Sequence, residues 1–391
     1  MSDGDRSDEL YAGREQTLVK HLILEKYLER FAHIVGTHWS TITYVDCFSG
    51  PWNAQSEHLD DASFSIALKQ LRKAKSHLAA SGKRLNLRCF FLERDPDAYQ
   101  RLDEFANQAE DADVKTLNQP LEKAVDAILE FIYRRRDNSF PFVFVDPTGW
   151  TGFGMDVIAP LLRVRPGEIL VNFMTGHILR FAEADDVGIR RSFDALFRPI
   201  DYRTRLEGLA GQDREDELVR CYVDAIKANG SFDYVCSAVV LHPLKKRTHY
   251  HLIYATRHRK GVEVFKQAEK SAMQMMEDAR EAAMKAKRFK QDHQLELEFS
   301  GKVSQGSEYF EQLRERYLVD GRKFAWNRLS RKRAMRFELL WAESCQLPLI
   351  WYGDVKDWVT DWKRQKRIQI VPGEGETQRL KRYGQQVIKL I

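Results

Sequence analysis

Two runs decide the fold: FDYVCSAVVL at 232–241 and RTHYHLIYAT at 247–256, separated only by HPLKK at 242–246. Both are rich in β-branched and aromatic residues, as strands are. A crossover between parallel strands needs a dozen or more residues, so a five-residue connection makes these two antiparallel neighbours. Upstream, the apolar runs ITYVD (42–46), NLRCFFLE (86–93), DVKTLNQP (113–120), FPFVFV (140–145) and EILVNFM (168–174) alternate with helical stretches. The helices expected from apolar spacing lie at 16–31, 62–80, 121–133 and from 155, with a helical insertion from about 177 to 228. Near-continuously apolar strands alternating with helices predict a parallel sheet covered on both faces. The fold class is therefore α/β and Rossmann-like: a mostly parallel sheet with its last strand antiparallel in a hairpin.

With 391 residues, 43% hydrophobic and 30% charged, the chain can bury one sizeable core and at least one smaller module. No run approaches the roughly 20 apolar residues of a membrane span, and the polar start MSDGDRSDEL lacks the apolar core of a signal peptide. A cytoplasmic location without membrane partners is the expectation. Cys47, Cys89, Cys221, Cys236 and Cys345 have no C-x-x-C spacing, so neither a disulfide framework nor a metal site is expected. The net charge of +5 is unevenly spread, because residues 322–391 hold 16 Lys plus Arg against 7 Asp plus Glu.

A parallel sheet closed by one hairpin is the arrangement of class I methyltransferases, and ligands of open α/β sheets bind beyond the carboxyl ends of the strands. The turn DCFSGPW after the first strand stands there. In methyltransferase-like folds such a turn, here Phe48, Gly50 and Trp52, lets the backbone approach the methionine part of S-adenosylmethionine, with Asp46 reaching its ammonium directly or through water. Glu93, ending the second strand, is placed to accept the ribose hydroxyls, and Asn118, ending the third, to contact adenine. Asp146 opens DPTGW after the fourth strand. An acid, a proline and an aromatic are what amino methyltransferases of nucleic-acid bases use: Asp146 and the Pro147 carbonyl accept from an exocyclic amine, and Trp150 stacks on an extruded base. Two prolines usually precede the aromatic there, whereas Thr148 and Gly149 intervene here. Asn172, ending the fifth strand, is a weaker candidate for the same crevice. Each residue also has a plain structural use: Gly50 in a turn, Asp46 as a helix cap, Glu93 in solvent, Trp150 in the core.

KHLILEKYLERF before the first strand, YVDCFSGPW, FVDPTGWTGFGMDVI and YHLIYATRHRKGVEVFK together resemble the three-Cys-motif partner protein family (TcmP) over roughly residues 15 to 270, in order, and on into the tail. The resemblance implies a class I methyltransferase-like domain working with a separately encoded, radical-S-adenosylmethionine-like protein that carries the three cysteines. It also implies that Lys20 and His21, in the N-terminal helix motif, close over the pocket. Members commonly carry glycine where Trp52 stands, and an indole there crowds the methionine site.

The tail resembles the winged-helix module of that family. RKRAMRFELLWAESCQ reads as one helix and DVKDWVTDWKRQKR as a second, with Asp354 as N-cap, Val355, Trp358, Val359 and Trp362 inward, and Lys356, Lys363, Arg364 and Arg367 outward. IQIV and QVIKLI form a wing on a basic loop that brings Lys381 and Arg382, and these six cations are the candidate DNA contacts. The expected organisation is a methyltransferase-like domain over 1–260, a helical extension and glycine-containing linker over 261–321, and a basic winged-helix domain over 322–391. Two functions compete. One is an S-adenosylmethionine-dependent methyltransferase acting on a nucleic-acid base amine. The other, motivated by Trp52, is a catalytically weak or inactive methyltransferase-like protein that binds nucleic acid or the three-Cys partner.

Overall fold

The computed structural model describes residues 15–50, 56, 59–134, 138–182, 186–242, 245–292 and 305–391. The first helix, α1 (Glu15–Gly36), precedes β1 (Thr41–Asp46). Then follow α2 (Ser63–Ala80), β2 (Asn86–Glu93), α3 (Pro96–Asn107), β3 (Asp113–Asn118), α4 (Leu121–Tyr133), β4 (Ser139–Val145), α5 (Met155–Leu162) and β5 (Glu168–Phe173). The insertion comprises α6 (Thr175–Phe181), α7 (Val187–Phe197), α8 (Tyr202–Leu206) and α9 (Gly211–Gly230), and β6 (Tyr234–Leu241) and β7 (Thr248–Thr256) form the hairpin.

These seven strands make one sheet in the order β3-β2-β1-β4-β5-β7-β6. All pairs from β3 to β5 are parallel, and β7 runs against both β5 and β6. This is the mostly parallel sheet with an antiparallel last strand that the sequence predicts. Side chains alternate between its faces as the period of two requires. Ile42, Tyr44, Phe142 and Phe144 join the core under α1 and α2, while Val45, Val143 and Val145 join the one under α4 and α5. Helix α1 is fixed by its apolar stripe: Ile23, Leu24, Tyr27 and Leu28 are buried, and the Tyr27 ring meets Phe142 at 5.3 Å and Tyr254 at 5.0 Å. Helix α3 has no counterpart in the apolar-run reading, which passes from β2 straight to β3. Its signal is capping: the Asp95 side chain accepts from the backbone N–H groups of Asp97 and Ala98, with Pro96 in the first turn.

Beyond β7, α10 (Arg259–Asp292) lies along α1, and α11 (Gln305–Lys332), β8 (Ala334–Arg336), α12 (Phe337–Ser344), α13 (Tyr352–Arg364), β9 (Ile368–Val371) and β10 (Val387–Leu390) form a C-terminal module. Its sheet runs β8-β10-β9 and is antiparallel throughout. Three expectations are corrected. Gly306 and Gly321 sit inside α11, so the boundary placed at 321 cuts a helix. A Cβ on Gly321 would stand 2.9 Å from Trp358 and 3.0 Å from Ile350, so close packing explains that glycine. The stretch from Arg331 is not one helix: Arg333 adopts φ 61°, and β8 intervenes before α12. Asp354 is not the N-cap but lies in the first turn, where its carboxylate accepts the Trp351 N–H at 2.7 Å. Val355, Trp358, Val359 and Trp362 face inward as expected.

The module is seated on the sheet through polar contacts as well as apolar ones. Strand β6 is the sheet's edge, and its Ser237 and Val235 N–H groups donate to the Gln346 backbone carbonyl at 3.0 Å and side-chain carbonyl at 3.1 Å. In α10, Lys266 and Glu269 form a buried ion pair at 2.5 Å. Glu269 also accepts from Leu349 N–H and Trp351 Nε1, and Lys266 donates to the Leu347 carbonyl. No helix among the described residues is long and apolar enough to cross a membrane. The five cysteines are buried free thiols.

Candidate functional site

The carboxyl ends of the parallel strands open onto a cavity of about 380 Å³, within the range of small-molecule sites. Its floor is the turn after β1, here Cys47, Phe48 and Gly50. That turn is shaped by its own hydrogen bonds. Ser49 N–H donates to the Leu92 carbonyl at 2.8 Å, and Ser49 Oγ donates to the Asp46 carbonyl at 2.9 Å, tying β1 to the end of β2. Glu93 and Arg94 form the next wall, Gln119 to Glu122 the one beyond it, and Asp146 to Gly149 the opposite side. Thr17, Lys20 and His21 of α1 also line the cavity, and Asn172 from β5 and His249 and Tyr250 from β7 complete it.

The three strand-end acids do not share one role. Asp46 does not line the cavity. It is fully buried behind the turn, where Ser63 Oγ donates to it at 2.7 Å and the Phe48 N–H at 3.1 Å. Burial raises its carboxyl to about 6, against those two hydrogen bonds, which favour the charged form. The expectation that Asp46 engages a ligand ammonium is corrected on this ground: its oxygens are turned to the protein. Glu93 does line the cavity, 3% exposed, with Oε1 accepting the Asp95 N–H at 2.7 Å. Asn118 is turned away, donating to the Glu93 carbonyl at 2.9 Å, and its neighbour Gln119 reaches the cavity instead.

Asp146 lines the cavity with both oxygens engaged. One accepts the Lys20 ammonium, and the other accepts Asn172 Nδ2 at 2.7 Å. Pro147 lines the wall beside it. Trp150 does not: its ring rests on Phe181 at 4.8 Å and Phe193 at 5.7 Å, and its Nε1 donates to Ser192 Oγ at 3.3 Å. The insertion helices α6 and α7 thus claim the indole, which corrects its assignment as a stacking face. Lys20 and His21 line the cavity, whereas Trp52 lies outside the described residues.

The walls differ in charge. Asp61 and Glu122 stand in the segments that follow β1 and β3, and Glu93 ends β2. On the β5–β7 side His249 is pushed down to about 4, first by burial and then by the positive charge of His242, Arg247, His177 and Lys20. Its imidazole is neutral at physiological pH. Residues His249 and Tyr250 escaped the strand-end reading, but their signal was the hairpin itself. Because β7 is antiparallel, its first residues lie at the carboxyl edge, with His251 paired to Phe173.

On the C-terminal module, Lys363, Arg364, Arg367 and Lys381 are exposed. Lys363 donates to Gln378 at 2.7 Å, Arg364 pairs with Asp361 at 2.6 Å, and the Arg367 guanidinium lies 3.6 Å over the Trp326 ring. Lys356 is half-buried. Arg382 is corrected as a surface contact: it bonds Glu263 of α10 and lies 4.3 Å over Tyr352.

No protein-family model matches the chain, and no curated protein matches it. Among solved structures it is similar to a Legionella pneumophila protein of the DUF519 family, at 12% identity over 63% of this chain and 86% of the other, TM-score 0.37. It is also similar to a loganic acid methyltransferase with S-adenosylhomocysteine, at 9% identity over 71% and 88%, TM-score 0.32. A mycolic acid cyclopropane synthase complexed with S-adenosylhomocysteine is a third, at 12% identity over 67% and 79%, TM-score 0.26.

Proposed function

We propose that the chain is an S-adenosylmethionine-dependent methyltransferase that acts on an amino group of a nucleic-acid base and holds DNA with a winged-helix C-terminal module. One observation carries the reading: the turn after β1, Glu93 at the end of β2, and Asp146–Pro147 after β4 line one cavity at the carboxyl edge of a sheet in the class I order. The residues fit the cofactor chemically. A carboxylate at Glu93 suits a vicinal diol, Phe48 and Gly50 give close backbone approach, and Asp61, Glu93 and Glu122 favour a ligand with net positive charge. When bound, S-adenosylmethionine supplies an electrophilic methyl group. The protein's part is to hold it, to cover the opening with α1, and to present acceptors to the incoming amine.

In the C-terminal module, helices α11, α12 and α13 with the antiparallel β8-β10-β9 sheet are the parts that a winged helix needs. Lys363, Arg364, Arg367 and Lys381 form its basic exposed face. Contacts of this kind weaken as salt displaces the protein's cations from phosphates. The motif resemblance extends the proposal to a separately encoded three-Cys partner. The cytoplasm is its proposed location.

Calorimetric titration of the full chain with S-adenosylhomocysteine tests the reading. Micromolar binding, weakened about tenfold or more by Glu93→Ala as a lost pair of hydrogen bonds requires, is the expected result. Absence of binding at high micromolar concentration overturns it. Binding without methyl transfer to any nucleic acid supports the scaffold reading instead, which is favoured by the engaged oxygens of Asp146.

A further inference from the structure

Asn172, the last residue but one of β5, lines the cavity and is 3% exposed. Its Nδ2 donates to Asp146 Oδ1 at 2.7 Å. A carboxylate only accepts, so this contact fixes which end of the carboxamide is oxygen; a flipped amide would set oxygen against oxygen. The other end, Oδ1, is then buried with no hydrogen-bond partner among the described residues. A buried acceptor left in this way is costly, and a ligand that brings an N–H relieves the cost.

The charges nearby say which kind of N–H. The carboxylate of Asp146 is matched by the Lys20 ammonium, so its attraction for a second cation is largely cancelled. His249, on the same side, is held neutral partly by the positive groups around it. A protonated alkylamine entering here finds no unmatched carboxylate on this wall, because Asp146 is already paired with Lys20. An exocyclic amine on a base is uncharged, donates well, and needs no such carboxylate.

Resting on the methyltransferase reading above, we propose that Asn172 Oδ1 is the acceptor that selects a neutral exocyclic amine of the substrate base, and that Asp146 and Lys20 are positioning residues that lock its orientation. Asn172 is thereby the specificity-determining residue of the pocket, and Asp146 acts through it.

The test has two arms. In the first, wild type and Asn172→Leu are titrated with S-adenosylhomocysteine, which carries an ammonium, and with 5′-methylthioadenosine, which lacks the amino-acid end. Asn172→Leu is expected to bind both within about threefold of wild type. Selective loss of S-adenosylhomocysteine by about tenfold would place Asn172 on the cofactor's ammonium and overturn the proposal. Failure of the wild type to bind either molecule would instead remove the methyltransferase reading, and the proposal with it.

In the second arm, tritiated methyl transfer is measured with poly(dA), poly(dC), poly(dT) and polylysine as acceptors. An amine-bearing DNA is expected to accept, while poly(dT) and polylysine do not. Asn172→Leu should lower kcat by about a hundredfold with little change in KM. Lys20→Met should lower it by about tenfold and Lys20→Arg should restore it, a rescue that loss of helix packing alone would not show. Acceptance by polylysine alone, transfer to no DNA, or wild-type turnover by Asn172→Leu would overturn the assignment.

Discussion

Asp46 and Asp146 look alike in the sequence, since each ends an apolar strand and opens a turn with proline nearby, yet they occupy different physical situations. Asp46 is satisfied locally: its partners, the Phe48 N–H and Ser63 Oγ, lie within its own turn and the helix after it. Asp146 is satisfied from afar, by Lys20 126 residues earlier in the chain and by Asn172 on the next strand. The first arrangement shapes a wall, and the second forms part of the wall's inner surface. A strand-end acid therefore marks the edge of the sheet, and its partners decide whether it serves the turn or the site.

The sharpest way to break this distinction is by turnover. Asp146→Ala should reduce the proposed methyl transfer by up to about a hundredfold, no more than the loss of Asn172, which it orients. Asp46→Asn, which keeps the shape of the group behind the turn, should stay within about tenfold of wild type. Circular dichroism of both variants controls for folding, and equal losses would erase the difference between the two residues.

The next effect is on stability against pH. The Asp46 carboxyl is raised to about 6 by burial, so the folded state holds its proton more tightly than the unfolded chain does. Its contribution is fully present below the ordinary carboxylate value of 3.8 and is lost as pH rises through about 6. Asp46→Asn does not titrate. The variant should therefore gain on wild type between pH 4 and 7, by up to about 3 kcal/mol for a shift of this size. Urea unfolding at several pH values measures the gap, and a gap independent of pH would refute it.

The smallest effect is at the supporting hydroxyl. Ser63→Ala removes a buried hydrogen bond to a carboxylate and should cost about 1 to 2 kcal/mol at pH 7. It should also move the Asp46 transition to higher pH, because that bond favours the charged form. An unchanged transition would mean that Ser63 does not hold Asp46 in solution.

What was legible in the sequence follows the reach of each signal. The hairpin at 232–256 fixed the sheet's hand-over from parallel to antiparallel, and the α4 and β4 patterns matched their elements closely, because strand and helix periods are local. Helix α3 was lost because it buries little apolar surface beyond Leu102 and announces itself by caps instead. The roles of Trp150 and Asn118 were misassigned for another reason. Position at a strand end does not say which neighbour claims a side chain, and here Phe181, Phe193 and the Glu93 carbonyl do. Gly321 read as linker because glycine is ambiguous between a break and a close approach until Trp358 and Ile350 are in place. The pairing of Lys20 with Asp146 and the orphaned oxygen of Asn172 arise only when α1, β4 and β5 meet, so no single window of the sequence contains them.

Gln346 seals the outer margin of β6 from the far side of the chain. A truncation that stops before it would strip two backbone donors of their acceptors and leave a β-edge open to pairing with other molecules. Such a fragment should aggregate, so the seven-stranded sheet cannot be isolated by trimming. The proposed nucleic-acid contacts are better tested by reversing surface charges on the intact polypeptide than by cutting it.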